Sequence, residues 1–146
     1  MFRGSLKCIN NRQEYETDIN HFIGPVADHD GRVCTKNMFE KMPPNQRDSI
    51  LIETAKNAVL KYAPGYYRDY KKSEVIFRGA LSKKHHKKED WGRLYYQVTF
   101  FYDPLKEKYA KNYIVRVFIW ADNGKVSDMY FMNEWGLDIE GLEKDN

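Results

Sequence analysis

The chain has 146 residues, the size of one ordinary globular domain. Lys and Arg number 24 and Asp and Glu number 21, so the net charge of +3 is too small to indicate a nucleic-acid-binding protein. Aromatic residues make up 15% of the chain, which argues against disorder throughout. No apolar run reaches the roughly 18 residues of a membrane span. We therefore expect one folded domain without a membrane span.

Residues 1–44 form an N-terminal arm whose pattern leaves open whether it adds a strand or wraps as a helix. A short helical turn is expected over residues 35–41. It must end before Pro43, because proline disfavours helix in the residue that precedes it. The arm contains no apolar signal segment, so we expect a cytoplasmic protein, although an exported protein without its leader would read the same.

The cysteines of the arm match neither a metal pattern nor a nucleophile pattern. We expect Cys8 and Cys34 to be reduced thiols, with a disulfide as the alternative in an oxidising compartment. Five residues of the arm are chemically able to bind a metal: His21, Asp28, His29, Asp30 and Cys34. Their spacing fits no standard motif, so we predict neither a metal nor a cofactor.

The strongest helical pattern covers residues 46–62. Its apolar residues recur at spacings of three and four: Leu51, Ile52, Ala55, Ala58, Val59 and Tyr62. Asn45 is expected to cap this helix, Asp48 to lie in its first turn, and Pro64 to follow its end. The apolar stripe predicts that the helix packs on another element.

Four later segments show the alternation typical of β-strands, at residues 74–81, 94–102, 113–120 and 126–132. One long helix followed by strands predicts an α+β fold, with the helix packed on a curved, mostly antiparallel four-stranded sheet. A single domain would then comprise the arm (1–44), the helix and sheet (45–132) and an acidic tail (133–146). We expect the tail to be packed by Trp135, with a docking peptide as the alternative.

Asn123 and Gly124 stand between the last two strands and predict a two-residue hairpin turn. The turn defines which residues face each other. The pairs expected on the face that covers the helix are Ile119 with Asp128, Val117 with Tyr130 and Val115 with Met132. The pairs expected on the outer face are Trp120 with Ser127, Phe118 with Met129 and Arg116 with Phe131.

This outer face is too aromatic for a surface that contacts only water. Six residues are candidates for binding a partner: Tyr95, Phe101, Arg116, Phe118, Trp120 and Phe131. Aromatic residues and Arg are the usual anchors of protein interfaces. We therefore predict a non-enzymatic binding module that holds a protein partner or a second copy of itself.

Residues 45–132 resemble the roll of one helix and a curled sheet found in cystatin-like, PepSY-like and nuclear-transport-factor-2-like domains. The resemblance is carried by the helix, by the strand from Tyr95 to Phe100, and by the hairpin over residues 121–126. It implies an inhibitor or an immunity-type protein. Cystatins carry Gln-x-Val-x-Gly on their inhibitory hairpin, but the residues after Gln97 depart from that pattern. Protease inhibition by that route is therefore not expected.

The same resemblance implies an alternative function. Nuclear-transport-factor-2-like enzymes can use a carboxylate inside their cavity as general base, and Asp128 is the one polar residue expected on the inner face. The alternative is thus a small-molecule-binding protein or an enzyme with a pocket between helix and sheet. We expect Asp128 to be exposed to solvent near the open end of the hairpin, which argues against a role as general base. The binding module is therefore preferred.

A basic run is the most conspicuous charge feature, and it consists of Lys83, Lys84, His85, His86, Lys87 and Lys88. Such a run can contact phosphate groups or an anionic membrane surface. We expect it to be a solvated loop between the first two strands of the sheet, because short basic loops are common. Nucleic-acid binding is therefore not predicted.

Overall fold

The computed structural model describes residues 5–10, 13–18, 36–84 and 87–145. In the first two segments, β1 (Ser5–Asn10) and β2 (Gln13–Asp18) pair as an antiparallel hairpin, with Cys8 opposite Tyr15. Cys34, His21, Asp28, His29 and Asp30 lie outside the described residues, and so does Thr35. Residues 38–41 form a turn instead of the expected helical turn.

Helix α1 (Pro44–Tyr62) confirms the predicted helix and begins two residues earlier than predicted. Asn45 does not cap it, because the capping position is the extended Pro43, which provides no side-chain hydrogen bond. Pro44 fits the first turn because its missing N–H would have no partner inside the helix. A short 3-10 helix, Pro64–Tyr66, follows the end of α1.

The second half of the chain folds into one antiparallel sheet with its strands in sequence order. The strands are β3 (Glu74–Ala80), β4 (Leu94–Phe100), β5 (Val115–Trp120), β6 (Val126–Phe131) and β7 (Gly136–Asp138). The predicted α+β class is therefore confirmed, but the prediction of four strands is wrong. The fifth strand lies in the segment that was assigned to the acidic tail, and helix α2 (Ile139–Lys144) follows it.

Helix α1 packs on one face of this sheet, which we call the inner face, and the hydrophobic core fills the space between them. The helix contributes Leu51, Ala55 and Val59, which are fully buried. The sheet contributes the fully buried Val98, Val115, Val117, Ile119, Met129 and Phe131. These side chains fill the centre of the layer between helix and sheet. A smaller cleft of about 310 Å³ lies at its edge, between α1, the start of β6 and α2.

The hairpin between β5 and β6 has a longer loop than the sequence predicted. The backbone N–H of Trp120 donates to the carbonyl of Lys125 at 2.9 Å, which leaves a four-residue loop from 121 to 124. Gly124 closes this loop with a φ of +71°, a conformation that favours glycine. The predicted Asn-Gly hairpin is thus present, but the two-residue turn is wrong.

A register shift follows in β6, since Ile119 pairs with Val126 whereas Phe118 pairs with Asp128. Ser127 is the extra residue of this bulge, and it exchanges the two faces of β6 relative to the prediction. Met129 and Phe131 therefore lie in the core opposite Val117 and Val115. The expected inward positions of Asp128 and Tyr130 are wrong, and both residues lie on the outer face. In β5 the predicted faces are confirmed, since Val115, Val117 and Ile119 are buried in the core.

None of the described helices is long and apolar enough to cross a membrane.

Candidate binding cleft on the outer face of the sheet

The face of the sheet that points away from α1 combines aromatic and polar side chains. Alternation along the central strands places these residues on it: Tyr95, Gln97, Thr99, Arg116, Phe118, Trp120, Asp128 and Tyr130. Gln97 and Thr99 are buried at its centre, where the Gln97 side-chain amide donates to the Thr99 hydroxyl at 3.1 Å. Two polar residues in the middle of the face therefore satisfy each other.

One end of this face forms a cleft of about 510 Å³. Its floor consists of residues on the central strands: Tyr95, Phe118, Trp120, Ser127, Asp128 and Tyr130. Its margins come from β3 with the connection that follows it, and from β7: Arg78, Leu81, Lys87, Asp90, Gly136, Leu137 and Asp138. A volume of this size is typical of sites that hold a small molecule or a few side chains.

A row of aromatic rings crosses three strands on the floor of the cleft. The ring centroids of Tyr95 and Phe118 are 5.8 Å apart, and those of Phe118 and Tyr130 are 5.5 Å apart in an edge-to-face contact. The Tyr130 ring lies over the backbone of Gly136, where a Cβ atom would approach its Cε1 to 3.1 Å. Glycine at position 136 therefore leaves room for the Tyr130 ring in the cleft.

Asp128 is the carboxylate beside this aromatic row. It pairs with Phe118 in the ladder, and Tyr130 lies two residues further along the same face. Burial raises the pKa of the Asp128 carboxyl, and the Asp138 and Glu140 carboxylates raise this pKa further. Hydrogen bonds from the Ser127 and Tyr130 side chains offset part of the rise. The neutral form of Asp128 is therefore more favoured here than in an exposed carboxyl.

The basic run is only partly solvated. Lys83 and Lys84 are exposed, whereas His85 and His86 lie outside the described residues. Lys87 is half-buried, and its Nζ lies 3.6 Å from Asp138 Oδ2 and 3.9 Å from Glu140 Oε2. Lys88 lies 6.0 Å from the centroid of the Trp91 ring. The expectation of a solvated loop is therefore wrong for Lys87, which joins the connection between β3 and β4 to β7 and α2.

Arg93, which is not among the predicted site residues, contacts two residues that line the cleft, Asp90 and Trp120. Its guanidinium makes two hydrogen bonds to the Asp122 carboxylate, at 2.6 and 2.9 Å, and one to Asp90 at 3.1 Å. The guanidinium carbon also lies 4.0 Å from the centroid of the Trp120 ring. The pKa of Arg93 is raised, because these carboxylates outweigh the effect of its burial. No periodic pattern marks such a residue, so the sequence offered no signal for it.

Trp120 belongs to the same network. Its indole N–H donates to Glu140 Oε1 at 2.6 Å, and only 3% of the residue is exposed. Trp120 is therefore held between Arg93 and α2, and it is available to a partner only through the part that lines the cleft.

The six predicted partner-binding residues divide into three groups. Tyr95, Phe118 and Trp120 line the cleft. Arg116 and Phe101 do not line it: the Arg116 guanidinium carbon lies 3.9 Å from the Tyr113 ring centroid, and the Lys71 ammonium lies 4.0 Å from that of Phe101.

Phe131 is buried in the core, so its predicted position on the outer face is wrong. Arg78 and Tyr130 line the cleft but were not among the predicted binding residues. Only the bulge at Ser127 brings Tyr130 to this face, and the alternation of apolar residues does not reveal a bulge.

Comparison of the chain with protein-family models, with curated proteins and with solved structures gave no match. Within the described ranges, no group of three or more His, Cys, Asp or Glu residues could hold a metal ion. The geometry of the cleft is therefore the basis for a functional proposal.

Proposed function

We propose that the chain is a non-enzymatic binding module, acting in the cytoplasm, whose cleft on the outer sheet face receives a segment of a partner protein. The observation that carries this proposal is the row of Tyr95, Phe118 and Tyr130 on the floor of the cleft, on the face opposite α1. Aromatic side chains next to polar margins are typical of interface anchors. An inhibitor or immunity-type role, which the resemblance implies, would use the same surface.

The polar groups of the cleft support binding more than catalysis. Asp90 is paired with Arg93, and Lys87 is paired with Asp138. Asp138 also caps α2 by accepting a hydrogen bond from the Gly141 N–H at 3.0 Å. Among the lining carboxylates, only Asp128 makes no ion pair with a described residue. A single carboxylate beside aromatic rings suits recognition, whereas proton transfer usually requires a second group in a matched protonation state.

The test compares capture of proteins by the parent and by a variant of the cleft. We expect Tyr130→Ala, combined with Phe118→Ala, to lose the proteins that the parent retains from a cell extract, as measured by quantitative mass spectrometry. The matched control is Leu60→Ala, which removes a 43% exposed apolar side chain from α1, on the opposite side of the sheet. Circular dichroism confirms that each variant is folded. Equal retention by the parent and the cleft variant contradicts the proposal.

The sequence also predicted self-association, in which a second copy of the chain would occupy the cleft. Light scattering over a dilution series of the parent and the same variants separates it from binding of another protein. A dimer that dissociates only in the cleft variant would identify a second copy as the partner.

A further inference from the structure

The carboxylates around the cleft differ in whether the protein itself neutralises them. Asp90 contacts Arg93 at 3.1 Å, Asp138 contacts Lys87 at 3.6 Å, and Glu140 accepts a hydrogen bond from Trp120. Asp128 forms no ion pair with any cation of residues 36–84 or 87–145. It nevertheless lies partly buried on the floor of a cleft, where an uncompensated carboxylate is costly. A ligand that carries positive charge would remove this cost.

The rings beside Asp128 are suited to the same kind of ligand. Phe118 is its direct partner in the ladder, and Tyr130 is its neighbour on the same face. Their rings meet edge to face with centroids 5.5 Å apart, and Tyr130 is 41% exposed, so aromatic surface remains accessible within the cleft. The face of an aromatic ring attracts a cation, and this attraction strengthens when water is excluded. The carboxylate and the rings therefore both favour a positively charged group beside Asp128.

We infer that Asp128, Phe118 and Tyr130 form a subsite for an alkylammonium group on an apolar stem. This inference rests on the proposed function and names the chemistry that the cleft recognises. The Ser127 and Tyr130 hydroxyls lie close enough to the carboxylate to offset part of the rise in its pKa, so they take up some of the space around its oxygens. A planar guanidinium needs both carboxylate oxygens for its paired hydrogen bonds, whereas an ammonium acts as a point charge. The subsite therefore prefers an amine to a guanidinium group.

The cations that line the cleft do not oppose this assignment. Lys87 is already engaged with Asp138 and Glu140. Arg78 lies in β3, three strands away from β6 in the sheet, which corresponds to about 14 Å between the two backbones. Arg78 makes no ion pair with Asp128, so the two side chains are not in direct contact. Arg78 therefore lies on the far margin of the cleft and leaves the Asp128 carboxylate to the ligand.

The experiment titrates the full chain with n-hexylammonium and, separately, with n-hexanol, which has the same stem without the charge. Calorimetry or chemical-shift changes report binding. We expect saturable binding of hexylammonium, at least about tenfold weaker binding of hexanol, and at least about a tenfold loss of hexylammonium affinity in Asp128→Asn. Asp69→Asn, at an exposed position after α1, is the matched control and should bind as the parent does.

A short peptide with one lysine, and the same peptide with that lysine acetylated, identify the source of the amine. Binding that needs the free lysine indicates a protein side chain, and binding of hexylammonium alone indicates a small amine. The inference is overturned if hexanol and hexylammonium bind equally well, or if neither amine binds. It is also overturned if the folded Asp128→Asn variant binds hexylammonium as tightly as the parent does. The capture experiment with Tyr130→Ala and Phe118→Ala does not depend on the outcome of the amine titration. The proposed function and the amine subsite can therefore be contradicted independently.

Discussion

Asp128 is a carboxyl group that folding partly removes from water, next to Asp138 and Glu140 and without a cation from the described residues. Its pKa is raised in the folded state, mainly by burial. Between the ordinary carboxyl pKa and this raised pKa, the folded state binds more protons than the unfolded state. Stability contributed by this group therefore falls as the pH rises through that interval.

Replacing Asp128 with Asn should stabilise the protein at pH 7, because the variant has no carboxylate to ionise. We expect the free energy of unfolding of the variant to exceed that of the parent by on the order of 1 kcal/mol at pH 7. This difference should become smaller as the pH falls towards 4. Urea unfolding at the two pH values measures this difference. Asp69→Asn, at an exposed position, should show no comparable gain. A destabilised Asp128→Asn at pH 7 would contradict the physical account of the cleft.

At the scale of elements, the hairpin between β5 and β6 decides which side chains reach the cleft. Its loop closes at Gly124, and its bulge at Ser127 turns Asp128 and Tyr130 outward and Phe131 inward. Met38 and Phe39 pack against the same loop, with the Met38 N–H donating to the Ala121 carbonyl at 2.8 Å. The loop is therefore held by its own backbone and by the segment that precedes α1.

Gly124→Ala should weaken the fold through this loop. A side chain at a φ of +71° is strained, and its Cβ would lie 3.3 Å from Met38 Sδ. We expect a loss of about 1–2 kcal/mol in the free energy of unfolding, measured by chemical denaturation. Gly65→Ala is the matched control, since a Cβ there has nothing within 4 Å and we expect a change within about 0.5 kcal/mol. Equal effects of the two substitutions would mean that the loop conformation is not constrained.

At the scale of the whole molecule, Arg93 joins parts of the chain that are distant in sequence. It contacts Asp90 in the connection after β3 and Asp122 in the hairpin loop, and it lies 3.8 Å from Glu140 in α2. The side chain of Asp122 is only 3% exposed, so Arg93 takes the place of the water that would otherwise solvate this carboxylate. The network holds together the connection, the hairpin and the C-terminal helix that surround one end of the cleft.

Arg93→Met should therefore be strongly destabilising, because it leaves buried carboxylates without their cation. We expect a loss of about 3–5 kcal/mol in the free energy of unfolding, measured by thermal and urea unfolding. Arg47→Met is the matched control: it removes a solvent-accessible pair with Asp48 and should cost about 1 kcal/mol or less. A loss of less than about 1 kcal/mol in Arg93→Met would show that the network contributes little.

The sequence by itself determined the elements whose signal is local. The apolar stripe of α1 recurs with the helical period, and β3 to β6 alternate with the period of strands, so each was recognisable from its own residues. The faces of β5 were also predictable, because Val117 and its neighbours at every second position are uniformly apolar. These patterns, and the α+β class that follows from their order, require no knowledge of which residues meet.

Only the tertiary structure decided the pairing of β6, the existence of β7 and the position of the cleft. A single extra residue at Ser127 exchanges the faces of β6, and the alternation looks acceptable in either register. Arg93 and its neighbour Asp90 meet Asp122 and Glu140, which are far away along the chain. Charged residues carry no periodic signal that would reveal such a contact. The cleft therefore depends on contacts between distant segments, which a pattern within one segment does not contain.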